Sequence, residues 1–203
     1  MLLGLLAGCS SNGGDKKSAT KGGDKDSIVI ATSGETPSLS PTEHNATAGD
    51  YMNLLTYSTL FRSDMDLKPA PHLVESYENV DESTWQFKLK QGVKFHNGDT
   101  MTVDDVVASI QWAQGFAEVN LYNNDIVSIS KVDDTTFEIK TDGPDAMLLD
   151  NLCHHGNAIV PKKLIDEGHD FNSDPIGSGP YKLVEWKRGD SLTFEAFDEY
   201  FLG

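Results

Sequence analysis

Three things are scarce in this 203-residue chain: cysteine, positive charge and long apolar runs. Two cysteines cannot build the dense disulfide framework of a small secreted scaffold, so the fold must rest on its core. Lys and Arg number 16 against 32 Asp and Glu, for a net charge of −16. Such a surface repels phosphate backbones and anionic headgroups, which argues against nucleic acid as a partner. The chain opens on an eight-residue apolar run, "MLLGLLAG", too short to cross a bilayer as a helix. There is no internal repeat and no regular strand–helix alternation, so a doubly wound parallel sheet is not expected. What is present suits a folded body: 38% hydrophobic and 24% charged residues.

The apolar run fits a short export signal over residues 1–8, and the absence of a preceding Lys or Arg leaves room for an upstream start. Leu6-Ala7-Gly8-Cys9 resembles the lipobox of bacterial lipoproteins. The resemblance implies cleavage before Cys9 and acylation of its sulfur. Two or more acyl chains give stable anchoring, where one does not. With Cys9 acylated, Cys153 has no internal disulfide partner. "SSNGGDKKSATKGGDKDS" follows, with one Ala as its only apolar residue. It cannot bury enough surface to offset its ordering entropy, so residues 9–27 are expected to be a lipidated flexible tether. Signal, lipid and tether together imply an exported protein held at the outer face of a cytoplasmic membrane.

Beyond the tether, "SIVIAT" (27–32) reads as a strand, and Pro37 and Pro41 break any helix after it. Residues 50–61 suit a helix turning into a strand, and 67–79 a proline-shaped link ending in a short helical turn. "STWQFKLKQ" alternates, with Trp85, Phe87 and Leu89 on one side, and predicts a half-buried strand. Hairpins are predicted over 126–141 and over 179–197, the second turning at Arg188-Gly189-Asp190. Short helices are predicted over 145–152 and after Pro161. The class is mixed α/β (α+β) with mixed sheets.

"KFHNGDTMTVDDVVASI" (94–110) gathers acids and amides beside a helix-like run, and raises the question of a metal or catalytic site. Asn97-Gly98 is a tight-turn dipeptide. Thr102 stands where an N-cap belongs, with Asp105 three residues on, a capping-box variant. Asp104 and Asp105 fall in the first turn, where negative charge offsets the helix dipole by roughly 0.3–1 kcal/mol each. Val103, Val106, Val107 and Ile110 share one face. A calcium loop needs a different ligand spacing. These acids therefore read as a helix start, neither a metal site nor a paired-carboxylate hydrolase.

The same stretch, as "GVKFHNGDTMTVDDVVASI", resembles a characteristic segment of the extracytoplasmic family 5 solute-binding proteins, the peptide- and nickel-binding components of ABC importers. Further segments match that family in order: "PSLSPTEHNA", "YSTLFRSDMDLKPAPHLVESYENVDESTWQFKLKQGVKF", "IVPKKLI" and "PIGSGPYKLVEWKRGD". The likeness runs from about residue 28 to 203. It implies a periplasmic-binding-protein-like type II fold: an incomplete first lobe from 28–49 and 171–203, an extra α/β subdomain from 50–170, and a second lobe missing from this chain. It also implies a substrate-binding component that captures oligopeptides or dipeptides for a membrane permease and its ATPase. It implies no cofactor, no enzymatic activity and a monomer. The same scaffold could carry nickel or another non-peptide cargo; a secreted metallohydrolase and an adhesin are the rivals from other classes.

By ungapped placement on that family, Asn45 and Thr47 fall on an extended stretch that lines the ligand cleft, Tyr122 where an aromatic can meet the ligand, and His154 where a His can point to the cleft. The family's Asp for a peptide amino terminus belongs to the second lobe. A zinc site from Cys153, His154 and His155 would need help from His169 or His96 through the fold, since adjacent residues coordinate one ion poorly. Trp85, Trp112 and Trp186 have core-like spacing and are not expected to be ligand platforms.

Overall fold

A computed structural model describes residues 27–203. The signal, Cys9 and residues 9–26 of the tether lie outside the described residues. In chain order the elements are α1 (Thr47–Thr56), β1 (Phe61–Ser63), β2 (Pro69–Pro71), β3 (Val74–Asp81), β4 (Thr84–Leu89), α2 (Val103–Ala113), β5 (Ile126–Lys131), β6 (Thr136–Thr141), α3 (Leu148–Asn151), α4 (Lys162–Asp166), β7 (Tyr181–Lys187) and β8 (Ser191–Ala196). Short 3-10 helices occupy Asn120–Tyr122 and His155–Asn157. No helix of the described residues is long and apolar enough to cross a membrane.

Alternation along β4 builds the centre. Its Phe87 sits opposite Phe137 of β6 and Tyr77 of β3, and the antiparallel sheet runs in the order β3-β4-β6-β5. One face carries Phe87, Leu89, Ile129, Phe137 and Ile139 into the main core. Phe87 and Phe137 stack at 5.1 Å between centroids. Val103, Val106 and Ile110 of α2 are fully buried in the same core, as their spacing implies. Trp85 borders this core, and Trp112 borders a smaller cluster of Tyr57, Ala158, Val160 and Phe171. Trp186 instead carries the Arg188 guanidinium 3.3 Å above its ring.

The acid-rich stretch folds as a frame. Asp105 Oδ2 accepts from the Thr102 N–H (2.8 Å) and hydroxyl (2.7 Å), while the Thr102 hydroxyl accepts from the Asp105 N–H (3.4 Å). Its other oxygen accepts from the Lys162 N–H at 2.8 Å, so one carboxylate caps α2 and also holds the start of α4. Asp104 pairs with Lys131 at 3.0 Å, and Asp99 with Asn97 at 2.9 Å. Ser109 donates to Val160 O and accepts from Val160 N–H (3.1 and 3.0 Å), tying α2 to residues 158–160.

His96 reaches from this stretch to the loop 175–180. Its Nδ1 accepts from the Gly177 N–H at 3.4 Å and its Nε2 lies 3.0 Å from Gly179 O. That loop runs so close to the end of α1 that a Cβ on Gly177 would meet Thr56 O at 2.1 Å, and one on Gly179 would meet Leu55 O at 2.5 Å. Glycine is required there by backbone approach. The loop then opens into the β7–β8 hairpin, which pairs with no other strand among the described residues.

Three expectations are corrected. Residues 27–32 are not a strand: Ile28, Val29 and Ile30 are exposed and no described strand pairs with them. A β-branched run becomes a strand only when a neighbour supplies its hydrogen bonds. Residues 74–81 are strand β3, where a helical turn was expected. Pairing with β4, through Val74↔Leu89 and Tyr77↔Phe87, decides an edge segment whose own pattern is almost wholly exposed. The helix expected over 145–152 is confined to α3.

Candidate ligand-binding site

Asn45, Tyr122 and His154 come from three distant parts of the chain and meet on one surface. The Tyr122 ring stacks on His154 with centroids 3.6 Å apart and planes 18° from parallel. Asn45 bridges the pair: its Nδ2 donates to the Tyr122 hydroxyl at 3.2 Å, and its Oδ1 lies 3.2 Å from His154 Nε2 across 109 residues of sequence. Asn45 is exposed and the two rings are half-buried. Thr47, also exposed, is the first residue of α1, and none of the bonds joining the other three reaches it.

Each group is positioned from below. Tyr122 ends the 3-10 helix Asn120–Tyr122, and the next residue, Asn123, is buried. Asn123 Nδ2 donates to Asn157 Oδ1 at 2.7 Å, and Asn157 Nδ2 donates to Asn151 O at 2.9 Å. This amide pair pins the two 3-10 helices together, and so holds Tyr122 against His154. His154 caps its own 3-10 helix: the Gly156 N–H donates to its Nδ1 at 3.0 Å. Asn45 is held through its neighbour. His44 is buried, its Nδ1 accepts from the Ala46 N–H at 3.2 Å, and its carbonyl accepts from His155 Nε2 at 3.1 Å.

His155 is the hinge of this layer. Its Nδ1 lies 2.9 Å from Asp50 of α1, and its ring lies between His44 (5.2 Å) and His154 (4.1 Å). The result is a column of four rings, His44, His155, His154 and Tyr122. Burial pushes the pKa of all three histidines down. For His154 it falls to about 3, first through burial and then through His155 and His44. His44 is lowered by burial and by His155. For His155, burial outweighs the opposing pull of the His44 carbonyl and Asp50. Burial thus disfavours the charged form of each ring, and His154 is neutral at neutral pH, while the two contacts of His155, to the His44 carbonyl and to Asp50, both call for a proton.

The ring nitrogens that a zinc site would need already have partners. Both nitrogens of His154 and both of His155 face the groups just named, and Asn53 Nδ2 lies 3.3 Å from His44 Nε2. Cys153 donates its thiol to Leu149 O at 3.4 Å, and burial raises its pKa away from the thiolate a metal prefers. His169 turns to Asp174 O at 2.7 Å, and His96 clamps the loop at 175–180. Among the described residues no group of three or more His, Cys, Asp or Glu is placed to hold a metal ion.

This geometry sits on a fold with known relatives. The family model of the bacterial extracellular solute-binding proteins, family 5 Middle, matches residues 68–203. The chain belongs to this family. The oligopeptide-binding protein AppA of Bacillus subtilis is 34% identical over an alignment that takes in all of this chain and 40% of AppA. The structure of AppA in complex with a nonapeptide superposes with a TM-score of 0.74 at 32% identity, over 84% of this chain and 36% of that one. The glutathione-binding protein GsiB of Salmonella typhimurium is 30% identical over 85% of this chain and 35% of its own length. NikZ from Campylobacter jejuni, in complex with Ni(L-His), gives a TM-score of 0.77 at 28% identity, over 88% of this chain and 37% of that one. The mixed α/β fold is thus that of substrate-binding proteins, and the chain spans about a third to two fifths of the length of these relatives.

Five residues of the supporting layer lay outside the sequence-based site: His44, Asp50, Asn123, Asn157 and, as a ring-stacking partner, His155. No local pattern marks them. The Asn123–Asn157 pair spans 34 residues and exists only once the two 3-10 helices are packed.

Proposed function

We propose that this chain is part of the substrate-binding component of an ABC importer, and that it takes peptides without carrying out chemistry on them. Asn45, Tyr122 and His154 form one wall of the ligand site, with Thr47 at its border. The observation that carries this reading is the convergence of those three side chains on an exposed surface, in a chain of this family, with their supporting layer buried beneath. Two relatives point to the ligand class: AppA is named for oligopeptides and GsiB for glutathione, itself a small peptide derivative. A neutral His154, a tyrosine and an amide at the surface suit backbone recognition, in which extended peptide groups are met by hydrogen bonds and side chains go unread. The geometry of the acids agrees, since Asp99, Asp104 and Asp105 are engaged within the frame.

The rest of the proposal concerns the whole protein. A second lobe closes over the ligand by a hinge, the domain layout is that given by the family resemblance, and the loaded monomer docks on a permease and ATPase. Cys9 carries the lipid that keeps it at the membrane. Replacing Cys9 by Ala should release the exported protein into the medium or periplasm; retention in the membrane fraction would remove the anchor from the account.

Thermal denaturation of the full-length gene product across a peptide library tests the ligand class, with nickel plus free histidine as comparator. A bound peptide at a hundredfold excess over its Kd should stabilise the protein by about 2.7 kcal/mol. A shift with nickel–histidine and none with any peptide would replace peptide by metal chelate.

A further inference from the structure

The hydrogen bonds around His154 have only one consistent direction, and it ends at the ligand surface. The Gly156 peptide nitrogen can only donate, so His154 Nδ1, 3.0 Å away, must be an acceptor and carries no proton. A neutral ring with a bare Nδ1 has its proton on Nε2. Nε2 lies 3.2 Å from the Asn45 amide, which must therefore turn its oxygen to the ring. Asn45 Nδ2 is then left to donate to the Tyr122 oxygen at 3.2 Å. With that oxygen accepting, the Tyr122 O–H proton has no partner within the cluster.

We propose that the Gly156–His154–Asn45–Tyr122 chain is a polarity relay that presents the Tyr122 hydroxyl as a hydrogen-bond donor, so that this wall selects an acceptor, such as a peptide carbonyl or a carboxylate oxygen, over an N–H group. His154 is a positioning residue here: it fixes the direction of the Asn45 amide without touching the ligand through its nitrogens. The inference rests on the ligand-wall reading above and adds what that reading leaves open, the sign of the hydrogen bond. The depressed pKa of His154 keeps the relay in one state across the range in which an ordinary histidine titrates. The other titratable groups in or facing the column are His44, His155, Asp50, Glu43 and Tyr122 itself. His154 Nδ1 itself is occupied by the Gly156 peptide N–H.

Two readouts on the full-length protein separate this proposal from the peptide reading. In the first, the imidazole 15N resonances of His154 are followed without ligand from about pH 5 to about pH 8. A pyridine-like Nδ1 and a pyrrole-like Nε2, unchanged across the range, support the relay. A protonated Nδ1 at any point overturns it. In the second, tetra-alanine is compared with versions carrying one thiocarbonyl, a weaker acceptor, or one N-methyl, a lost donor, in wild type and Tyr122→Phe. Tyr122→Phe should cost about fivefold in affinity. That loss should shrink for one thiocarbonyl ligand and persist for every N-methyl ligand. The reverse pattern overturns the donor assignment. His154→Gln, which keeps an N–H toward Asn45, should retain the discrimination, and His154→Leu should lose it; equal behaviour of the two overturns the positioning role. If tetra-alanine fails to bind, the peptide reading weakens, and the nitrogen resonances still decide the direction of the relay.

Discussion

The stretch 94–110 and the Asn45–Tyr122–His154 surface are both polar, and they differ in where their hydrogen bonds end. In the first, bonds close on the protein. Asp105 alone takes three donors from two helix starts, and Asp99 and Asp104 each have a partner. In the second, the chain of bonds runs up from a peptide N–H and stops at a half-exposed hydroxyl. A dense run of acids in sequence is therefore the poorer guide to a site. On the function proposed above, what marks the site is a polar network that is fixed at its base and open at its tip.

Substitutions can break this contrast, and the largest effects should fall on the frame. Gly177→Ala forces a Cβ into Thr56 O and should cost about 4 kcal/mol or prevent folding, measured by chemical denaturation. A stable, unshifted Gly177→Ala protein would mean that the loop has room to move. Asp105→Ala strands the Thr102 N–H and hydroxyl and the Lys162 N–H, and should cost about 2–4 kcal/mol. The catalytic alternative predicts instead a stable protein that has lost an activity.

Acid should act on the frame next. His72 is buried beside Phe201, with Nε2 lacking a partner among the described residues, and burial, then Arg62 and Lys90, push its pKa down to about 3. The unfolded chain therefore binds a proton that the fold refuses between about pH 6.5 and about pH 3. Its contribution to stability is complete above the upper value and is lost as pH falls through the window, by up to about 1.4 kcal/mol per pH unit. His96, lowered by burial, acts with the same sign. His72→Leu should flatten the acid limb of stability against pH while changing little at neutral pH; an unchanged limb would show that His72 charges without cost.

The smallest effects on stability should come from the open surface. Tyr122→Phe and Asn45→Ala remove groups at its tip and should change unfolding free energy by about 0.5 kcal/mol or less. A loss as large as that for Asp105→Ala would make the surface part of the frame and erase the contrast.

Much of the frame was legible because its signals are local. The alternation of Trp85, Phe87 and Leu89 marks β4, and Thr102 with Asp105 marks the start of α2 before any packing is known. The misreadings fall where the deciding partner is remote. Residues 27–32 have strand residues but no described strand to pair with, and β3 has little strand pattern of its own but is paired by β4. The surface shows the same division. Asn45, Tyr122 and His154 could be named only from resemblance to a family, since nothing within ten residues of any of them predicts their meeting. Their support was invisible for the same reason: a buried Asn123 or Asn157 looks like any loop amide until the fold brings the pair together.

The central claim is that the surface of Asn45, Tyr122 and His154 meets the ligand while the acids of 94–110 only hold the frame. Calorimetric titration of the full-length protein tests it most directly, using the peptide that gives the largest thermal shift. Affinity should fall about fivefold in Tyr122→Phe and stay at the wild-type value in the frame variant Asp104→Asn, with both proteins equally folded. Unchanged affinity in Tyr122→Phe together with a loss in Asp104→Asn would contradict it.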